Sequence, residues 1–147
     1  VSAGGHHGMI VGISEPMNSM YWSSYGFVYE GVKSKNDGAK NMVTIRRKTK
    51  DCSGYPIFNW CIEQGEGWFV PSIKELQIIY QARQAINNTL PINRLSGKYW
   101  SSTESNKVLD KTGKNKYYSA WYLDFDNGAS VNDYKSKCIS VRIVATF

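Results

Sequence analysis

The residues able to do covalent or metal chemistry in this chain are few and poorly arranged for it. Cys52, Cys61 and Cys138 permit one disulfide and leave one thiol over. Cys52 and Cys61 are nearest in sequence and make the favoured pair if a bridge forms. No Cys-x-x-Cys pair occurs, and a zinc site would also need suitably spaced histidines. The two histidines, His6 and His7, stand near the start between glycines, where a turn or a tag-like remnant fits better than a ligand set. A serine hydrolase would need a Gly-x-Ser-x-Gly elbow, which is missing, and a histidine in reach of the nucleophile. Asp124-Phe125-Asp126-Asn127-Gly128 has some character of a calcium loop but lacks its spacing and its final glutamate. No catalytic residue, metal site or cofactor is expected.

Recognition chemistry is better supplied. Residues 117–140 hold four Tyr, four Ser, three Asp and two Asn. Tyr gives contact area at low entropy cost, and the short polar residues give adaptable hydrogen bonds, as in antibody paratopes. The candidate ligand-binding residues are Tyr118, Tyr122, Asp124, Asp126, Asn127, Ser130, Asn132, Tyr134 and Ser136. Solvent-facing strands and turns are polar in any case, so an ordinary exposed hairpin fits the same palette. The segment from Lys107 to Lys116 carries four Lys against one Asp and reads as a solvated loop or a contact for acidic groups. A net charge of +6 favours acidic partners. No zinc-finger spacing, aromatic-basic RNA motif or basic helix accompanies it, so nucleic acid is not an expected partner.

The elements that would position these residues can be followed along the chain. Its 147 residues suffice for one domain, 1–147, with its own core. Residues 9–13 form a short apolar strand. Residues 14–41 are polar and read as a long loop pinned by Trp22 and Tyr25. Residues 55–62, with Pro56 in the first turn, suit a short helix. The clearest helix follows: Ser72 and Glu75 make a capping box, and Leu76, Ile79, Tyr80 and Ile86 form its buried stripe. Asn87, Asn88 and Pro91 end it.

Beyond residue 97 the pattern turns to strands. Tyr99-Trp100-Ser101-Ser102 begins one, and residues 105–116 read as loop. Trp121 to Phe125 alternates with period two, which predicts Trp121, Leu123 and Phe125 inside, Tyr122 and Asp124 outside. Asp126-Asn127-Gly128 is a hairpin turn, with a return strand from Ala129 to Tyr134. Ile139 to Ala145 supplies a last strand. The class is α+β: two helices packed on a twisted antiparallel sheet with long loops. No stretch approaches the roughly 20 apolar residues of a membrane span. The opening Val-Ser-Ala-Gly-Gly carries no leader pattern and reads as a mature domain or an excised fragment.

Four ordered blocks carry a family resemblance. Gly67-Trp68-Phe69-Val70-Pro71-Ser72-Ile73-Lys74-Glu75-Leu76 resembles a GW-x-[LV]-P-x-x-x-E-L signature, and Tyr99 to Glu104 is similar to a [YF]-W-S-S-T-E block. Ala120 to Phe125 with Asn127-Gly128 resembles an A-W-Y-x-x-F-x-x-G hairpin. Val141-Arg142-Ile143-Val144 resembles a closing V-R-x-V, and Gly5-His6-His7-Gly8 with Met-Ile-Val an opening strand. Together they resemble the Lcl C-terminal family, within the wider C-type-lectin-like group. That group includes formylglycine-generating enzymes and the variable proteins of diversity-generating retroelements.

The resemblance implies a C-type-lectin-like fold and a scaffold role for Trp68, Pro71, Glu75, Trp100, Ser101, Ser102, Trp121, Gly128 and Arg142. In that scaffold Ser101, Ser102 and Thr103 would turn the chain by bonding their own backbone, and Glu104 would bond back to the turn. The resemblance further implies an extracellular ligand-binding module, an adhesin or receptor-binding head at the bacterial cell surface or on a phage particle. Its exposed C-terminal hairpin would meet a host or microbial glycan or protein. Sulfated or carboxylated glycans are among the ligands so implied. Asn, Tyr, Asp and Ser are also what adenine changes in an Asn codon produce, so retroelement diversification of the hairpin is a further expectation. The alternatives are a structural subunit packing against pilus, stalk or phage-tail neighbours, and a formylglycine-generating-type enzyme. The enzyme would need a reactive cysteine pair near the C-terminus, where only Cys138 stands. Calcium-dependent sugar binding would need a Glu-Pro-Asn or Gln-Pro-Asp loop, and Glu15-Pro16-Met17 does not supply one.

Overall fold

The computed structural model describes residues 8–112 and 115–147. The expectations for His6, His7 and the chain before Gly8, and for Gly113 and Lys114, lie outside those residues. Strand β1 (Met9–Val11) comes first and is shorter than the apolar run that predicts it.

The polar stretch read as loop ends in a helix, α1 (Gly38–Lys48). Asp37 caps it by accepting a hydrogen bond from the Lys40 N–H (3.0 Å), and Arg46, Arg47 and Lys48 complement the negative end of its dipole. Its buried side comprises Gly38, Asn41, Met42 and Ile45, with only two large apolar side chains. That thin stripe, amid lysines and arginines, resembles a solvated coil in the sequence. A Cβ at Gly38 would lie 2.4 Å from the Val70 carbonyl oxygen, so only glycine lets α1 seat against the strand-to-helix turn before Ser72.

Helix α2 (Pro56–Glu63) buries Ile57, Phe58 and Cys61. Helix α3 (Ile73–Gln81) opens on the expected capping box: Ser72 Oγ accepts from the Glu75 N–H, and Glu75 Oε1 accepts from the Ser72 N–H. Glu75 Oε1 also accepts from the Gly38 N–H (2.9 Å), tying the two helix starts together. The continuous helix expected to reach Ile86 breaks at Ala82 (φ −94°, ψ 4°), and a separate α4 (Arg83–Thr89) follows. The described residues thus hold four helices where two were expected.

Strands β2 (Lys98–Thr112), β3 (Asn115–Asp124) and β4 (Ser130–Tyr134) form an antiparallel meander in that order. The described part of the Lys-rich segment is therefore strand rather than loop: the β2–β3 ladder continues as an arm out to Thr112 and Asn115, through several register shifts. The last strand contracts to β5 (Val144–Thr146), paired antiparallel with β1, while Ile139 and Ser140 make single bridges to Met20 and Tyr99. The architecture is α+β with antiparallel sheets.

Both faces of the three-stranded sheet are covered near its middle. Phe125 meets Tyr80 of α3 edge-on, with ring centroids 5.6 Å apart. Trp100 and Tyr122 pack together on the other face, where Trp100 Nε1 donates to the Met20 carbonyl and Trp22 Nε1 to the Ser101 carbonyl. Ser101, Ser102 and Thr103 turn only partly on themselves. Ser102 Oγ accepts from Asn41, and Thr103 Oγ1 accepts from the Ile73 N–H while donating to the Ser34 carbonyl.

The buried polar centre is Glu104. It bonds to the distant loop rather than back to its own turn: its carboxylate accepts from the N–H groups of Glu30, Gly31 and Val32. It also accepts from Lys135 Nζ, and both side chains of this ion pair are fully buried. Lys135 donates as well to the Val28 carbonyl and lies over the Trp22 ring at 4.9 Å. Burial lowers the ammonium's hold on its proton, and the facing carboxylate opposes that shift. Glu30 is buried beside it, accepting from Tyr55 Oη and paired with Lys48. A second buried cation, Arg142, donates to the Gly12 and Ile13 carbonyls, the Asn93 carbonyl and Glu15, fastening the chain after β1 to the turn before β2.

The favoured disulfide is not formed. Cys52 and Cys61 are buried free thiols, and Cys138 is an exposed one. Burial pushes Cys52 up to about 11 and Cys61 up to about 12. A thiol reagent at pH 8 is therefore expected to label Cys138 alone in the folded protein and all three after unfolding. Rapid native labelling of Cys52 or Cys61, read by mass, would refute their burial. Lys135→Ala strands the Glu104 carboxylate, and a loss of about 3–5 kcal/mol is expected in chemical denaturation. A loss below about 1 kcal/mol, the scale of surface pairs, would show that the pair is solvated.

Candidate functional site

Strand alternation sets which residues the hairpin presents. Trp121 pairs across β3–β4 with Asn132, Leu123 with Ser130 and Ser119 with Tyr134. These six side chains share one face of the sheet. Helix α3 covers that face at the Leu123 and Phe125 end and leaves it open at Trp121, which is only partly buried. The inside–outside expectation is therefore corrected in two places. Trp121 borders the opening, while Tyr122, expected outside, is 6% exposed and packed on Trp100. Tyr122 faces inward because segment 20–23 covers its side of the sheet, and nothing in the strand's own alternation announces a second cover.

Two hollows flank the Trp121 ring. One is lined by Lys35, Ile73, Lys74, Gln77, Trp121 and Ser130, the other by Tyr29, Lys33, Lys35, Ser105, Asn106 and Trp121, with Glu104 at its base. Lys35 Nζ stands 5.7 Å from the indole centroid. Gln77 Nε2 donates to Ser130 Oγ (2.9 Å), which ties α3 to β4 along the rim. Asn132 Oδ1 is buried and has no hydrogen-bond partner among the described residues. The arrangement offers an aromatic ring, three exposed ammonium groups and several amide and hydroxyl groups across one shallow surface.

The nine candidate ligand residues separate accordingly. Ser130, Asn132 and Tyr134 share the face of Trp121. Tyr118 is half-buried on the arm against Tyr29, with centroids 5.6 Å apart. Asp124, Asp126 and Asn127 serve the turn: Asp124 Oδ1 accepts from the Asp126 N–H, Asn127 Oδ1 from the Ala129 N–H and Asp126 Oδ1 from the Gly97 N–H. Gly128 completes that turn with φ +77°, its Cα against the Tyr80 ring. Ser136 is exposed in the turn after β4, away from the Trp121 hollows. Lys33, Lys35, Lys74, Gln77 and Asn106 border the same opening and were not among the candidates. The exposed positions of Lys74 and Gln77 follow from the α3 stripe, but their meeting with β4 does not.

The scaffold assignments can be placed as well. Pro71 accepts from the Ser102 N–H, Glu75 makes the capping box, Ser101 Oγ donates to the Trp121 carbonyl, and Trp100 and Arg142 are buried. Trp68 is half-buried beside β1 and Ile143. Among the described residues no cluster of His, Cys, Asp and Glu could hold a metal ion, and no helix is long and apolar enough to cross a membrane.

Residues 18–145 match the family model of the Lcl C-terminal domain, and the chain belongs to that family. No curated protein matches it.

The face assignment is testable by stability. Tyr122→Ala is expected to cost about 3 kcal/mol or more, because it empties a buried aromatic site. Ser136→Ala should change stability by less than about 0.5 kcal/mol. Denaturant titration of both variants decides the matter, since a near-neutral Tyr122→Ala would put that ring in solvent.

Proposed function

We propose that this Lcl C-terminal domain is the ligand-binding module of an extracellular bacterial surface protein, an adhesin or receptor-binding head with a C-type-lectin-like fold. Membership in the family supports a surface-protein setting. The ligand lies on the Trp121 face, and the observation that carries this is the half-buried indole between two hollows with Lys35 beside its ring. An indole offers a flat apolar surface for the C–H face of a sugar ring. Lys33, Lys35 and Lys74 supply charge for carboxylate or sulfate groups, and Gln77, Asn106 and Ser130 supply hydrogen bonds. An acidic surface glycan therefore fits the opening best.

Ser130, Asn132 and Tyr134 occupy alternating positions on that face. They are among the residue types that adenine changes in an Asn codon produce, so the position suits a diversified site. Binding rather than catalysis also suits the thiols: burial holds Cys52 and Cys61 protonated, and the reactive species of a thiol enzyme is the thiolate.

The test is titration of the domain onto an immobilised sulfated polysaccharide and a neutral one. Preferential binding to the sulfated polymer, weakened by salt, is expected. Trp121→Ala and the exposed-site variants Lys35→Glu and Lys74→Glu should each weaken it about tenfold, or roughly 1.4 kcal/mol, with the melting temperature of the lysine variants unchanged. Equal affinity in all three variants would move the site elsewhere.

A further inference from the structure

We infer that the turn at residues 25–28, together with the β2–β3 arm it lies on, is a docking surface for an anionic lipid bilayer. The surface borders the Trp121 face, since Tyr29, Lys33 and Lys35 also line its second hollow and Tyr117 packs against Tyr134, but its apolar turn would meet a bilayer whether or not a glycan binds at Trp121. Phe27, Val28 and Tyr29 are consecutive and 50%, 45% and 38% exposed, and Tyr25 is 44% exposed at the start of the same turn. An exposed run of apolar and aromatic side chains on a loop is unusual in a water-facing surface and marks contact with a partner or a membrane.

These rings are held out rather than left to collapse. The Val28 N–H donates to the Tyr25 carbonyl, closing the turn, and the Tyr118 N–H donates to the Gly26 carbonyl (3.0 Å), fixing it to the arm. Phe27 packs at a tilt against Tyr117, with ring centroids 4.6 Å apart, and Tyr29 likewise against Tyr118 at 5.6 Å. Immediately beyond, the N–H groups of residues 30–32 are gripped by the buried Glu104 carboxylate. The apolar turn is thus anchored on both sides, and its ordering entropy is already spent before any ligand arrives.

Charge selects the occupant. Within residues 21–36 the one carboxylate is Glu30, which is buried and paired with Lys48, while Lys33 and Lys35 are exposed. On the arm Lys107 and Lys116 are exposed, against the single carboxylate Asp110 in the described stretch. Phenol and phenyl rings settle at the headgroup level of a bilayer, and flanking lysines meet lipid phosphates.

Cosedimentation of the whole chain with phosphatidylcholine vesicles, with and without phosphatidylglycerol, tests the assignment. Binding to the phosphatidylglycerol vesicles alone, reversed by high salt, is the expected result. Phe27→Ser should weaken it at least about tenfold, the scale of one lost aromatic insertion, and Lys107→Glu with Lys116→Glu should also weaken it. All three positions are solvent-exposed or turn sites, so circular dichroism should show an unchanged fold. Trp121→Ala should sediment as the parent does. No binding to either vesicle, or full binding by Phe27→Ser, overturns the proposal. So does a loss of vesicle binding in Trp121→Ala, which would merge the two surfaces. Concentration-dependent self-association in ultracentrifugation that Phe27→Ser abolishes would instead assign the turn to contact between copies of the chain.

Discussion

One buried carboxylate holds the irregular half of this protein to its regular half. Glu104 lies where β2 leaves the core, and it accepts from three consecutive backbone N–H groups of a loop more than 70 residues earlier in the chain. Lys135, just past β4, neutralises it from within the same buried space. Neither charge is tolerable there alone, because desolvation of an isolated ion costs several kcal/mol. Each is acceptable only when the loop and the end of the meander both arrive. The pair therefore acts as a registration device, since a chain that misplaces either segment leaves a bare charge in the core.

That constraint explains how a long stretch without strands or helices, between β1 and α1, can have a defined course. Ordering each backbone residue costs about 1–2 kcal/mol, and a loop of this length needs anchors beyond its own contacts. Trp22 is buried against Phe58, its indole N–H bonded to the Ser101 carbonyl, and Arg142 fixes the start of the loop through the Gly12 and Ile13 carbonyls. Once laid down, the loop covers the Trp100 and Tyr122 side of the sheet. With α3 on the opposite side, the middle of the sheet is covered on both faces, and the cover stops short at Trp121. The proposed recognition surface is what the two covers leave open, and the lysines of the loop and of α3 come to border it from either side.

The local signals in the sequence were legible where one element carries its own reason. The capping box at Ser72 and Glu75, the proline that starts α2 and the Asp126-Asn127-Gly128 turn all depend on neighbours within a few residues, and all are present. Two failures share a physical origin. Helix α1 buries only Met42 and Ile45 among its large apolar residues, because Asn41 and Gly38 occupy the rest of its inner side, so its periodicity is faint. The Lys-rich arm is a strand pair extending past the core through several register shifts, which break the period-two alternation that marks a half-buried strand.

By itself the sequence determined the α+β class, the positions of two helices, the second of which the structure splits at Ala82, the hairpin and the blocks that mark the family, because each is written in spacing along the chain. The tertiary structure alone decided which side of the hairpin is the open one. Period-two alternation divides Trp121 from Tyr122 but cannot say which half of the sheet receives the loop and which the helix. That choice is made by Glu104 and Lys135, through partners 72 to 74 and 31 residues away. A side chain's exposure belongs to whatever covers it, and here the cover over Tyr122 comes from the other end of the chain.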